Sequence, residues 1–266
     1  MFEQQYVALV TKILNTGEDR QTRNGATRAL FATQLSFDLQ VEFPMLQARR
    51  MYPAGVLGEL AAMLRGPKHI EDFERWGCNY WKKWAKPDGS IALDYGNAWL
   101  DFNGVNQIEQ LRECLMADPT NRRMIISGWR PGADLDLPCC HLLYQFYVRD
   151  NTYLDMIWFQ RSADTMVGVP SETIFAAAWM IAICEEFTWL KPGRCTMVFG
   201  DTHIYHEHIE PAYDYLKYYA ISILKPVTYK TRPPMFVSNF CEFEPSWIQL
   251  FDVNVDAPKI NFLLKD

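Results

Sequence analysis

Cys140 sits in the run Leu137-Pro138-Cys139-Cys140-His141, with arginines both upstream and downstream. A thiolate is a soft, strong nucleophile, and nearby cations favour it over the thiol, so Cys140 is a candidate for covalent catalysis. The run alone is weak evidence, because a cysteine taken at random is more often a small buried apolar residue. Glu59 lies beside an apolar helical stripe, where partial burial would raise its pKa towards values useful for proton transfer. His203, His206 and His208, taken with Cys140 or His141, fit no common zinc spacing, and no metal is expected.

Positioning these groups requires a rigid frame, which the periodicities of the chain outline. Phe2, Tyr6, Leu9, Val10, Ile13 and Leu14 recur at helical spacing before Gly17, and Val56, Leu57, Leu60, Ala61 and Leu64 do the same before Gly66. Residues 20–28, with three arginines around Asn24-Gly25, read as a loop able to hold an anion beside an extended stretch at 29–39. Residues 124–129, 141–148 and 153–160 read as strands, the last two forming a hairpin across Arg149-Asp150-Asn151-Thr152. Residues 171–187 are too apolar all round for a surface helix and should be central, and 196–203 read as another strand. Residues 226–234 read as a proline-bearing connection, and no repeat or long linker divides the chain. The expectation is one α+β domain over residues 1–266, with a large, mostly buried sheet flanked by helices.

Composition excludes several function classes. With 26 basic against 32 acidic residues the net charge is −6, which argues against a continuous basic face for duplex DNA or acidic lipid. An apolar content of 49% supports a sizeable core and rules out a disordered chain. The longest nearly pure apolar stretch, 174–184, is far short of the roughly 20 residues of a membrane span. Seven cysteines without a CxxC pair point to reduced thiols and a cytoplasmic setting, a host's cytoplasm if the chain is viral.

Taken together, the Cys140 run, Gln160-Arg161-Ser162-Ala163-Asp164, Gly168-Val169-Pro170 and Gly200-Asp201-Thr202-His203-Ile204-Tyr205 resemble the thymidylate synthase family. The resemblance extends from the arginine loop near Arg23 through Glu59, Trp81, Trp84, Tyr95 and Arg122-Arg123 to the last of those motifs. It implies one-carbon transfer from 5,10-methylenetetrahydrofolate to carbon 5 of a pyrimidine nucleotide, on a homodimer packed through its sheet. On this resemblance Cys140 adds to ring carbon 6, while Cys139 stands where the family usually has proline. Arg161 and Ser162 match its phosphate contacts, joined by Arg122 and Arg123 from the partner subunit. Arg23 matches the loop arginine, with Arg20 as the fallback because the loop is one residue shorter than the usual pattern. Glu59 matches the glutamate that organises water and moves protons, and Tyr95 accompanies it in the catalytic group. His141, Gln160 and Asp164 fall on the nucleotide side, and His203 and Tyr205 match groups bonding the sugar hydroxyl. Trp81, Trp84, Asp164 and Gly168 match the pterin side. Arg49 lies near the folate tail or the phosphate loop, and Tyr52 replaces a histidine in that region.

Glu172 is the informative departure. It stands four residues after Gly168, where the family carries an asparagine that reads the pyrimidine edge. Uracil presents a donor at nitrogen 3 and an acceptor at oxygen 4, which an amide satisfies and a carboxylate, having acceptors only, does not. Cytosine presents its amino group as a donor, and a proton shared between nitrogen 3 and the carboxylate completes a charge-assisted pair. Glu172 therefore points to dCMP, and the acidic side chain resembles the aspartate of phage deoxycytidylate hydroxymethylases. The competing reading has Glu172 as a helix N-terminal charge pointing elsewhere, and a protonated Glu172 would accept dUMP. For the product, Trp81 and Trp84 would exclude water and favour a methyl group, whereas the ending Leu263-Leu264-Lys265-Asp266 differs from the small apolar tail that closes the family's site. Hydroxymethylation of dCMP ranks first, then dCMP methylation, ordinary dUMP-using thymidylate synthesis, and a non-catalytic nucleotide- or RNA-binding regulator.

Overall fold

The computed structural model describes residues 1–265. Its elements run α1 (Phe2–Thr16), β1 (Glu18–Thr22), β2 (Gly25–Asp38), α2 (Pro53–Met63), α3 (Ile70–Glu74), α4 (Asn97–Leu100), α5 (Gln107–Ala117), β3 (Ile125–Ser127), β4 (His141–Arg149), β5 (Tyr153–Asp164), α6 (Gly168–Glu186), β6 (Lys191–Tyr205), α7 (Ile209–Ile221), β7 (Thr228–Thr231) and β8 (Ile248–Phe251). Six strands form one sheet in the order β1-β2-β6-β5-β4-β3, and β7 pairs with β8 separately. Every pair is antiparallel except β5 with β6, which α6 connects. The result is the α+β fold expected from the strand and helix signals.

In α1 the six apolar residues at helical spacing are all buried, and the helix stops at Gly17, whose amide donates to the Ile13 carbonyl at 2.9 Å. A Cβ at Gly17 would come within 2.5 Å of that carbonyl oxygen, so only glycine fits this exit. The helix α6 is buried on all sides from Val169 to Cys184 except at Ser171 and Glu172, and it packs on α2, β5 and β6. Helices that are apolar all round belong in the interior, and this one is the spine of the core. Beneath the site, Trp99, Tyr144, Trp158, Phe175 and Trp179 interlock, with Trp99 and Trp179 stacked at 4.4 Å. On the other face of the sheet, Ile125, Gln145 and Ile157 lie side by side in register, and both isoleucines are exposed.

Two sequence expectations need correction. Residues 20–28 are not a free loop: β1 and the start of β2 form a hairpin with Thr22 opposite Gly25 and Arg23-Asn24 at its tip. Gly25 has φ +130°, so the Asn24-Gly25 turn signal, rather than apolar alternation, marks this hairpin. Residues 226–234 are not only a connection, since they contain β7, whose Thr228 lies opposite Phe251 of β8. The β4–β5 hairpin forms where expected, and Asp150 and Asn151 take positive φ in its turn, as short polar side chains tolerate. Strand β5 runs on to Asp164, four residues beyond the expected end, and that extension carries site residues.

Candidate active site

Parallel pairing sets the site. In β5 and β6, Ser162 lies beside Asp201 and Asp164 beside His203, so the C-terminal ends of both strands deliver polar side chains to one edge of the sheet. That edge opens into a cleft of about 720 Å³. The cleft gathers most of the residues singled out in the sequence: Arg23, Glu59, Trp81, Trp84, Tyr95 and Cys140 on one side of the chain order, and His141, Gln160, Arg161, Ser162, Asp164, Gly168, Glu172, His203 and Tyr205 on the other.

Cys140 and Cys139 divide cleanly. Cys139 is buried, absent from the cleft wall, and its thiol donates to the His141 carbonyl at 3.0 Å. Cys140 lines the cleft, and its amide donates to the Tyr95 hydroxyl oxygen at 2.8 Å. Burial pushes the Cys140 thiol up, while the Arg161 guanidinium and Tyr95 pull it down. The resting sulfur is therefore a protonated thiol, with the cation needed to favour a thiolate already beside it. Arg161 is oriented by the carbonyls of Cys139 at 3.0 Å and Pro138 at 3.1 Å, and its guanidinium lies over the Trp129 ring.

Three carboxyl side chains line the cleft, those of Glu59, Glu172 and Asp164. Glu59, on α2, accepts from the Trp81 indole at 2.7 Å and from the Tyr80 hydroxyl at 2.6 Å, one bond to each oxygen. Burial pushes its pKa up to about 7, against the lowering effect of those two donors, with Glu172 adding a small further rise. Glu172 has a side chain only 16% exposed and does not turn to solvent. Its Oε1 accepts from Gln160 Nε2 at 2.9 Å and lies 3.4 Å from His141 Nε2. Its Oε2 is buried with no hydrogen-bond partner. Gln160 is fixed in turn by the Trp158 indole and the Ser162 carbonyl, and His141 by the Tyr144 hydroxyl. A Cβ at Gly168 would sit 3.2 Å from Glu172 Oε1, so the bare glycine leaves room for the acidic arm.

The remaining residues sort by depth. His203 pairs with Asp201 at 2.8 Å, which holds that carboxyl below its ordinary range, and Tyr205 packs edge-on against His203. Asp164 caps the turn into α6 by accepting from the amides of Met166 and Val167. Trp81 and Trp84 pack together at 5.3 Å to form an aromatic wall, and the Trp84 indole nitrogen is buried without a partner. Leu264 and Lys265 reach the cleft, anchored by Lys83 on the Leu264 carbonyl and by Glu207 on Lys265; Asp266 lies outside the described residues.

Four expected residues lie elsewhere. Arg122 and Arg123 are exposed on the turn between α5 and β3 and do not line this cleft. Arg49 is buried beneath it, donating to the Met166 carbonyl at 2.6 Å and lying over Phe262, so within one chain it braces the loop before α6 and the C-terminal segment. Tyr52 is exposed at the start of α2. Between the two loop arginines, Arg23 lines the cleft while Arg20 pairs with Asp201 at 3.0 Å. Sequence reasoning missed Tyr80 and Trp129, whose places in the cleft follow from turns that leave no periodic trace. Among the described residues no three His, Cys, Asp or Glu side chains converge as a metal site requires.

A family model for thymidylate synthase matches residues 4–252. The chain belongs to the thymidylate synthase family. As a member of the thymidylate synthase family it is a folate-dependent transferase that moves one carbon to carbon 5 of a pyrimidine nucleotide, with methylenetetrahydrofolate as co-substrate. The match includes every cleft residue named above except Leu264 and Lys265. No helix among the described residues is long and apolar enough to cross a membrane.

Proposed function

We propose that the chain is a homodimeric, cytoplasmic deoxycytidylate 5-hydroxymethyltransferase, working as one catalytic unit. The observation that carries this reading is Glu172, which lines the cleft: one oxygen is held by Gln160 and His141, and the other is buried and unpartnered. A buried acceptor without a donor is costly, by about 1 to 3 kcal/mol, and the amino group of cytosine is a donor of the right kind. Oxygen 4 of uracil would bring a second acceptor to the same place.

The chemistry then follows the side chains. Arg161, Ser162 and Arg23 hold the phosphate, with Arg122 and Arg123 contributed by the partner subunit across the open face of the sheet. His203 and Tyr205 take the sugar hydroxyl. Cys140 loses its proton and forms a bond to carbon 6, which turns carbon 5 into a nucleophile. Trp81, Trp84 and Gly168 receive the folate: an aromatic wall of two tilted indoles, one with an unmet donor, suits a heteroaromatic ring. The folate supplies the carbon: carbon 5 bonds to its methylene carbon, the carbon 5 hydrogen is lost as a proton to water, and the carbon–nitrogen bond breaks so that the folate leaves as the amine, with the exocyclic methylene left on the ring. After its departure a water oxygen bonds to the exocyclic methylene, Glu59 accepts the water's proton, the electron pair restores the ring double bond, and Cys140 leaves as thiolate.

Incubation with dCMP or dUMP plus methylenetetrahydrofolate, followed by mass measurement, tests the reading. A gain of CH2O on dCMP supports it. A gain of CH2 on dCMP makes the protein a dCMP methylase, and exclusive turnover of dUMP removes the argument from Glu172.

A further inference from the structure

The wall beside Glu59 contains one phenol among indoles. Tyr80 and Trp81 are consecutive residues of a single 3₁₀ turn, Tyr80–Trp84, and each donates to a different oxygen of Glu59. The Tyr80 ring stands at the mouth of the cleft, 37% exposed, while its hydroxyl points inward. The thiol of Cys78, in the segment leading to that turn, lies beside Tyr80.

We infer that Tyr80 is a positioning residue of this chain, which aims Glu59 and anchors on its phenolic oxygen the water that attacks the exocyclic methylene. The inference rests on the hydroxymethyl reading above. A water that attacks carbon must point a lone pair at it and direct its two hydrogens at acceptors. An indole nitrogen carries a donor and no acceptor, so neither Trp81 nor Trp84 can orient that water. A phenol has one donor and two acceptor positions. Tyr80 spends its donor on Glu59, and its acceptor positions are left for the water. One water hydrogen then goes to Tyr80 and the other to Glu59.

The step balances without any added reagent. The water oxygen forms a bond to the methylene carbon, the methylene double bond shifts into the ring, the carbon–sulfur bond to Cys140 breaks, and the water's proton passes to Glu59. Tyr80 keeps its own proton throughout, in accord with its hydroxyl being pushed well above the ordinary range by burial and by the neighbouring Glu59. The ionisable groups acting on it are Glu59 and Cys78.

Tyr80→Phe keeps the ring and removes only the hydroxyl. With the full-length protein, its nucleotide and methylenetetrahydrofolate, we expect hydroxymethyl formation to fall by about tenfold, with nucleotide KM unchanged and a larger share of methyl product or of uncompleted Cys140 adduct. The acid limb of the kcat profile should also move to higher pH, because the lost phenol was holding Glu59 down. A merely structural Tyr80 would leave both the product ratio and that limb where they were, and this result overturns the inference. If the wild-type protein makes only methyl product, the hydroxymethyl reading itself fails and takes this inference with it. Wild-type hydroxymethylation with an indifferent Tyr80→Phe defeats the inference alone.

Discussion

Glu59 and Glu172 line the same cleft and are satisfied differently. Glu59 has a neutral donor on each oxygen and a pKa pushed up to about 7 by burial. Glu172 has its protein contacts on one oxygen only, and the other has none. A carboxyl whose donors all come from the protein is set to exchange a proton near neutral pH. A carboxyl with one oxygen left over is set to receive something from outside. On the proposed function, the difference separates proton handling from base selection within one pocket.

The harshest way to break that comparison is to remove the covalent step on which both acids depend. Cys140→Ala should abolish turnover and the nucleotide adduct in denaturing mass spectrometry, while nucleotide binding survives; the buried Cys139 should not substitute, and an adduct in this variant would reverse the assignment. Glu59→Gln should lower kcat by about a hundredfold to ten-thousandfold, with little change in nucleotide affinity. Glu172→Asn should do the opposite: overall turnover persists, and the kcat/KM ratio of dCMP to dUMP shifts towards dUMP by about tenfold to a hundredfold. An unchanged ratio would deprive Glu172 of its role as base reader.

The smallest effect is on stability. The folded protein raises the Glu59 pKa from 4.5 to about 7, so between those values it binds more protons than the unfolded chain does. Stability from this group is full below about 4.5 and declines as pH rises to about 7, by an amount on the order of 1 to 3 kcal/mol. Denaturant melts across that window should show a falling slope that Glu59→Gln flattens. An equal slope in both proteins would mean that Glu59 is not the group responsible.

How much of this could be read in advance depended on what signal each residue leaves. The helix α6 announced itself by an unbroken apolar run, and β4 and β5 by β-rich stretches around a polar turn. Strand β1 did not, because all five of its residues, Glu18 to Thr22, face solvent and carry no alternation. Strand β7 was hidden by the prolines around it. Cys140, Arg161 and Glu172 were legible because their motifs lie on strand ends and a helix start. Tyr80 was not, because it reaches Glu59 from 21 residues away through a turn whose geometry has no period. Arg49 was misjudged in reach, as a cation near the site that bonds beneath it rather than into it.

The parallel register of β5 and β6 also governs which changes in length the molecule can absorb. At the far end, the chain passes from α6 to β6 around the exposed Trp189, and an added residue there displaces nothing in the cleft. One residue inserted between Phe199 and His203 would rotate every later side chain of β6 to the opposite face, exchanging His203 at the cleft for its neighbour. Diversification of this lineage by insertion should therefore accumulate at the distal turn and spare the strand that counts out the ligands.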